Sequence, residues 1–316
     1  MAVSFFVASF AAAAQPAMGR HRIGYLAPGP TSCPSTPQIE AFRRRLADLG
    51  YMEGRDVIID RRCFSRASAA RKTLDDILKE KPDILVAGNE AAAVAMKDVK
   101  IPIVFANVAD PVGSGLVQSL ARPGTNMTGL ADLTLDLHAK RVEILKEAFP
   151  TLAGVATLHA RDDPQMRGFH AETERAAKTL GLEIQHVTVR TAEDLVGAFE
   201  VIKTHRIQAV VIGGGSLIWT ERSRVVDLAA QHRLRTMAPW RAYVDVGGLM
   251  AYGTDQPELY RRAATYVDRI LKGARPADLP VEQPTKFELV INARTAKALG
   301  LTIPPSLLLR ADQIID

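Results

Sequence analysis

From His21 to the C-terminus, short apolar runs alternate with longer stretches in which apolar residues recur every three or four positions. The short runs predict buried strands at His21 to Ala27, Val57 to Ile59, Ile84 to Ala87 and Ile103 to Ala106. A second series follows at Met127 to Ala131, Val155 to Leu158, Leu182 to Val187 and Ala209 to Ile212. Ile39, Phe42, Leu46 and Leu49 repeat at helical spacing and end at Gly50, and Leu74, Ile77 and Leu78 mark a helix that stops at Lys81-Pro82. An alanine-rich helix follows Gly88-Asn89. Further helical stripes run through Val142, Leu145 and Phe149, Gln165 to Leu180, Leu195 to Lys203, Glu221 to Gln231, and Leu259, Ala263, Val267 and Ile270.

Strand and helix in alternation mean parallel sheets covered on both faces. The series restarts after the fourth strand, so the expected architecture is α/β, with two doubly wound, Rossmann-like lobes of the same design. No sequence repeat links them. A length of 316 residues fits two domains. Ligands of open parallel sheets sit beyond the carboxyl ends of the strands. Two lobes that face each other with those ends enclose a cleft suited to a small molecule.

Composition narrows the partner. Hydrophobic residues at 47% and charged residues at 24% describe a globular chain. The formal charge is +5, but the basic residues are dispersed among acids, and the densest run, Arg43-Arg44-Arg45, falls on a helix with an apolar opposite face. Aromatics at 6% are too thinly spread for a base-stacking platform, so a solvated surface is expected and not a nucleic-acid interface. Val3 to Ala14 is an apolar run shorter than the roughly 20 residues that span a bilayer. With small residues at Ala12-Ala13-Ala14 it reads as the core of a secretion signal, although no Lys or Arg precedes it. Residues 1–20 are therefore expected to be a signal peptide or its remnant, and the mature chain a periplasmic monomer. Cys33 and Cys63 lie beyond the carboxyl ends of the first two strands. In an oxidising compartment they could form one disulfide, or stand as two thiols. They are too few for a zinc site and the histidines have no ligand spacing, so no metal and no cofactor is expected.

The chemistry expected is binding without catalysis. The chain has no G-x-S-x-G elbow, no P-loop lysine, no H-E-x-x-H and no visible acid–base pair, so it is not expected to be an enzyme. Gly213-Gly214-Gly215-Ser216 follows a strand but lacks the P-loop lysine; it suits a tight turn beside a ligand better than a phosphate cradle. Candidate contacts fall in strand-end loops. Gly88-Asn89-Glu90 could cradle an anion at a helix start, or Asn89 could simply cap that helix. Asn107 and Asp110 follow the fourth strand; Asp110 could meet ligand or cap the turn that Pro111 begins. His159 follows the next strand, and Asp162 stands nearby as an acid. Trp240-Arg241 could sandwich a planar ring and hold its carboxylate, or Trp240 could be a packing anchor.

Longer motifs carry a resemblance. Asp110-Pro111-Val112 leads into Gly115-Leu116-Val117 and then into Leu120 to Gly129 (LARPGTNMTG). GGLMAYG follows from Gly247 to Gly253, YVDRILKG from Tyr266 to Gly273, and LPVEQPTKFELVINARTAKALGLTIPPSLLLRADQIID from Leu279 to Asp316. In these motifs the chain resembles the ABC-transporter substrate-binding protein family, including its tryptophan- and tyrosine-type binders, over nearly all of its length after Arg22. The resemblance implies a type I periplasmic-binding fold with a three-crossover hinge and delivery of ligand to a membrane permease. It places the crossovers near Met127-Thr128, Leu249-Met250 and Thr285-Lys286. One lobe would then comprise 21–127 and 251–284, the other 128–250 and 285–316. It also maps the carboxylate cradle onto Gly88-Asn89-Glu90 and first-loop contacts onto Thr31-Ser32. The chain departs from the family where Gly213-Gly214-Gly215 and Ala242 stand in place of acids. An ammonium ion in a closed cleft needs an acidic partner. The expected ligand is therefore a small carboxylate, aromatic in type, without an amine. The alternatives are an aromatic amino acid or a ligand-sensing regulator without its own DNA-binding domain.

Overall fold

The computed structural model describes residues 20–132, 136–163 and 165–316; the apolar run at Val3 to Ala14 lies outside them. The first lobe begins with β1 (His21–Pro28), α1 (Pro37–Asp48), β2 (Val57–Phe64) and α2 (Ala70–Lys79). It continues with β3 (Ile84–Ala87), α3 (Glu90–Ala95), β4 (Ile103–Val108) and β5 (Met127–Ala131). Its sheet has the order β2-β1-β3-β4-β5, with every pairing parallel. Thr36 starts α1: its hydroxyl accepts from Ile39 N at 3.5 Å, and Pro37 holds the first turn. The apolar stripe of α1, Ile39, Phe42 and Leu46, is wholly buried, with Phe42 edge-on to Tyr25 at 5.4 Å.

The second lobe runs through α4 (Asp136–Ala148), β6 (Gly154–Ala160), α5 (Met166–Thr179), β7 (Glu183–Val189), α6 (Asp194–Thr204) and β8 (Ala209–Ile212). Then come α7 (Ser216–Thr220), α8 (Arg222–Gln231), β9 (Arg235–Ala238), α9 (Arg241–Asp245) and β10 (Met250–Thr254). The long α10 (Gln256–Leu271) returns to the first lobe, where Leu259, Tyr260, Ala263 and Val267 share a core with Ile39 and Phe42. The chain closes with β11 (Phe287–Asn292), α11 (Ala293–Ala298), α12 (Pro305–Leu308) and β12 (Gln313–Ile315). The second sheet has the order β12-β11-β10-β9-β8-β6-β7, parallel except for the antiparallel β10–β11 pair.

Two crossovers fall a few residues later than the motifs suggested. Met127, Thr128 and Gly129 pair with Ile103, Val104 and Phe105, so β5 is the edge of the first sheet and not a crossover. Met250 and Ala251 pair with Met237 and Ala238, so β10 belongs inside the second sheet. Backbone groups in an apolar strand are satisfied by a neighbouring strand, and the change of lobe waits for the polar residues Asp132 and Asp255. The strands β9 to β12 escaped prediction because each mixes polar residues or glycine into its apolar run (RTMA, MAYGT, FELVIN, QII). Arg141, fully buried on α4, joins the crossovers: Nε donates to Tyr252 O at 2.7 Å and Nη1 lies 2.9 Å from His138 Nδ1. Burial lowers its pKa to about 10, against the nearby charge of Asp132.

Phe42→Ala removes a ring between α1, α10 and the sheet. It should destabilise the protein by about 3–5 kcal/mol, read as a lower urea midpoint with an unchanged slope.

Candidate functional site

Strands of both sheets aim their carboxyl ends at the gap between the lobes, so the loops that follow them form its walls. The lobes touch across this gap. Asn89 Nδ2 donates to Ser216 Oγ at 3.1 Å, Gln165 Nε2 to Glu90 Oε2 at 2.9 Å, and Ser68 N to Asp162 Oδ2 at 3.3 Å. Asn89 is also the cap of α3, accepting from Ala92 N at 3.0 Å. On the facing wall Gly215 starts α7 with φ +100°, a left-handed conformation that needs glycine, and a Cβ there would lie 2.4 Å from Asp163 Oδ2.

An inner cavity of about 60 Å³ lies between these loops. Thr36, Gln38, Trp219, Trp240 and Gln256 form its boundary with an adjoining outer cavity of about 460 Å³. Trp219 and Trp240 meet edge-on at 5.5 Å, and the Arg222 guanidinium sits 4.7 Å from the Trp219 ring centre. Such a boundary offers flat apolar surface to a ring. At the crossover, Asn107 Nδ2 donates to Gln256 Oε1 at 2.8 Å, and Gln256 Nε2 to Thr254 Oγ1 at 3.2 Å.

The inner cavity is acidic. Glu90, Asp132 and Asp163 line it, and Arg61 is the one Lys or Arg among its described lining residues. Glu90 is buried; its carboxylate accepts from Ala109 N at 3.2 Å, from Gln165 and from the Ser114 hydroxyl. Burial pushes its pKa up to about 7, with the charge of Asp163 acting in the same direction and the Ser114 and Ala109 hydrogen bonds opposing. Asp163, enclosed by the cleft walls, accepts from Gln165 N at 2.8 Å. Burial pushes it up to about 7 as well, helped by Asp162 and Asp132. Gln165 thus holds one carboxylate from each lobe.

Of the residues singled out in the sequence, Gly88, Asn89, Glu90, Asn107 and Gly214 line the inner cavity, Trp240 lines both and Arg241 the outer one. Arg241 is paired with Asp245 at 3.1 Å. The others stand elsewhere. Thr31 and Ser32 are exposed on the loop before α1, where Thr36 at its end and Gln38 in the first turn of α1 face the cleft. That loop is drawn onto β2 by a Cys33–Cys63 disulfide with Cα atoms 5.2 Å apart. Asp110 caps its own turn, accepting from Gly113 N at 2.7 Å. Asp162 is exposed at the rim, where it receives Ser68. His159 is neither solvated nor in the cleft: it is fully buried beside Phe169 at 4.7 Å, under Gly213, and burial lowers its pKa to about 4. Sequence reasoning missed Tyr25, Arg61, Asp132, Asp163, Gln165 and Trp219. Asp132 follows β5 directly and Asp163 lies three residues past the end of β6, so the strand-end rule that selected Asp110 and Asp162 could have reached them. Among the described residues no cluster of His, Cys, Asp or Glu could hold a metal, and no helix is long and apolar enough to cross a membrane.

Two α/β lobes closing over a small polar cavity define a solute-binding protein. The sequence model of the ABC transporter substrate binding protein family matches residues 34–315, and the chain belongs to that family of substrate-binding proteins. It is 27% identical over 271 residues to the Tyrosine-binding protein of Clostridioides difficile (strain R20291), covering 83% of this chain and 76% of the relative. Among solved structures it resembles a domain from Streptococcus pneumonia in complex with L-Trp, with a TM-score of 0.82, 27% identity, and coverage of 94% and 100% of the two chains. A conserved domain protein from Vibrio cholerae gives a TM-score of 0.84 at 26% identity, with coverage of 93% and 99%. The type I periplasmic-binding fold of these relatives is the fold of this chain.

The raised pKa of Glu90 has a measurable sign. A carboxyl whose folded pKa is about 7 instead of 4.5 adds stability below pH 4.5 and loses it as the pH rises through 7. Buried His159 and half-buried His170, both lowered to about 4 by desolvation, act oppositely, losing stability as the pH falls below the ordinary histidine range. Glu90→Gln should remove only the first effect. The difference in unfolding midpoint, variant minus wild type, should therefore become more positive between pH 5 and pH 8, as followed by calorimetry.

Proposed function

We propose that this chain captures an aromatic amino acid between its lobes, outside the cytoplasmic membrane, and delivers it to the permease of an ABC importer. The observation that carries this reading is the convergence of Glu90, Asp132 and Asp163 on a cavity bounded by Trp219 and Trp240. An α-ammonium ion taken from water needs carboxylate partners. The loop at Gly213-Gly215 lacks them, but the fold supplies Asp163 beside that very loop, and Glu90 from the other lobe. This favours the amino acid over the amine-free carboxylate expected from the sequence. The relatives support it: one is named for tyrosine and another was solved with L-Trp.

In this mechanism the crossovers flex and the lobes sample open and closed states. Ligand touching both lobes favours the closed one. The bonds from Asn89 to Ser216 and from Gln165 to Glu90 are made only on closure, so closing assembles the ammonium site and excludes water from it. The closed surface is then what the permease recognises.

Thermal shift tests the reading directly. L-Tryptophan or L-tyrosine at 100 times its dissociation constant should add about 2.7 kcal/mol of stability, and the matching arylpropionic acids without the amine should add far less. Asp163→Asn should weaken amino-acid binding by about tenfold to a hundredfold, the range for a charge-assisted hydrogen bond. A shift with the amine-free acids alone would overturn the proposal.

A further inference from the structure

Arg61 and Cys63 stand two residues apart on β2, hence on one face of the strand. Arg61 lies opposite Tyr25 and Cys63 opposite Ala27 on β1, and both of those β1 residues line the inner cavity. The disulfide from Cys63 ties down the loop between β1 and α1. That loop in turn holds the arginine: Arg61 Nη1 donates to Cys33 O at 3.0 Å and to Pro34 O at 2.8 Å. Cys33 has φ +48°, a left-handed conformation uncommon outside glycine. An unfavourable backbone conformation persists where the surroundings over-determine it, and here the disulfide and the arginine both act on that residue. The same loop ends in Thr36, the cap of α1, and Thr36 and Gln38 of the first turn both line the cavity. Arg61 Nε is buried and has no partner among the described residues. In the acidic inner cavity its guanidinium supplies positive charge.

We infer that Arg61 is the anchor for the ligand's carboxylate and that the Cys33–Cys63 disulfide is a positioning element of the binding site, aiming that guanidinium through the carbonyls of Cys33 and Pro34. This rests on the amino-acid reading proposed above and deepens it. The guanidinium is planar and keeps its charge even when partly buried, so it can hold two loop carbonyls and still present an N–H edge to a carboxylate. A flexible loop would leave the arginine with many rotamers, and ordering it would then draw on the binding free energy. The covalent tie sets the geometry beforehand.

The test compares L-tyrosine with tyramine, which has the ring and the amine but no carboxylate. Binding is measured by calorimetry on wild type, on Arg61→Ala, on the Cys33→Ser, Cys63→Ser double variant and on the triple variant. Arg61→Ala should lower L-tyrosine affinity about tenfold to a hundredfold, as expected for one charge-assisted contact, and leave tyramine within about twofold. The double serine variant should lose L-tyrosine affinity selectively too, and the triple variant should lose no more than Arg61→Ala alone, since the two act through one contact. Arg61→Ala leaves the disulfide intact, so it remains decisive if the serine variant fails to fold. Wild-type preference for L-tyrosine over tyramine retained in Arg61→Ala would overturn the anchor, and retained in a folded serine variant it would overturn the positioning role. Failure of wild type to bind either L-tyrosine or L-tryptophan would instead remove the functional reading on which the inference stands.

Discussion

A carboxylate taken out of water must find compensation, and in this protein that constraint acts where the lobes meet. Glu90 comes from the first lobe and Asp163 from the second, and Gln165 bonds both. Neither lobe alone encloses this pair. Burial raises both groups toward neutral pH, so enclosing them as carboxylates carries an electrostatic cost that a proton or a cation can relieve. On the proposed reading, the ligand's ammonium meets that demand, and closure and recognition become one event.

The remainder of the fold places those groups. Parallel strands bring their carboxyl ends, and the loops after them, to one edge of each sheet. The crossovers hold the two edges face to face, and Arg141 bonds across from α4 to β10 at that point. A buried guanidinium is a costly element, tolerated where its donors are matched; here it serves as a fixed point where the chain passes between the lobes. The disulfide has a similar local role in the first lobe. It leaves the sheet core to hydrophobic packing and governs the loop that leads into Thr36 and α1 and holds Arg61.

Helix and strand alternation was legible because each element's buried face repeats over several turns or residues. Phe42 and Leu46 announce α1, and Ile84 to Ala87 announce β3. Strands such as β9 and β12 were not, since Arg235-Thr236 and Gln313 put polar residues at the start of runs too short to show a period around them. Crossover positions were misjudged at Met127 and Met250 because motifs mark a neighbourhood, whereas hydrogen bonding to a neighbouring strand decides the residue. In the site, Gly88-Asn89-Glu90 could be recognised from strand-then-cap chemistry. Asp110 and Asp162 had the same local signature as Asp132 and Asp163, and only the fold separates the pairs: Asp110 satisfies its own turn and Asp162 reaches the rim.

The sequence by itself determined the α/β alternation, the two-lobed design and the family, because periodicity and long motifs are local properties of the chain. Tertiary structure decided the character of the cleft. Glycines at 213–215 and alanine at 242 suggested a pocket poor in acid, yet carboxylates from positions 90, 132 and 163 converge there. Charge in a cleft depends on which loops two sheets bring together, and residues far apart in the chain become neighbours only when both lobes are folded and closed.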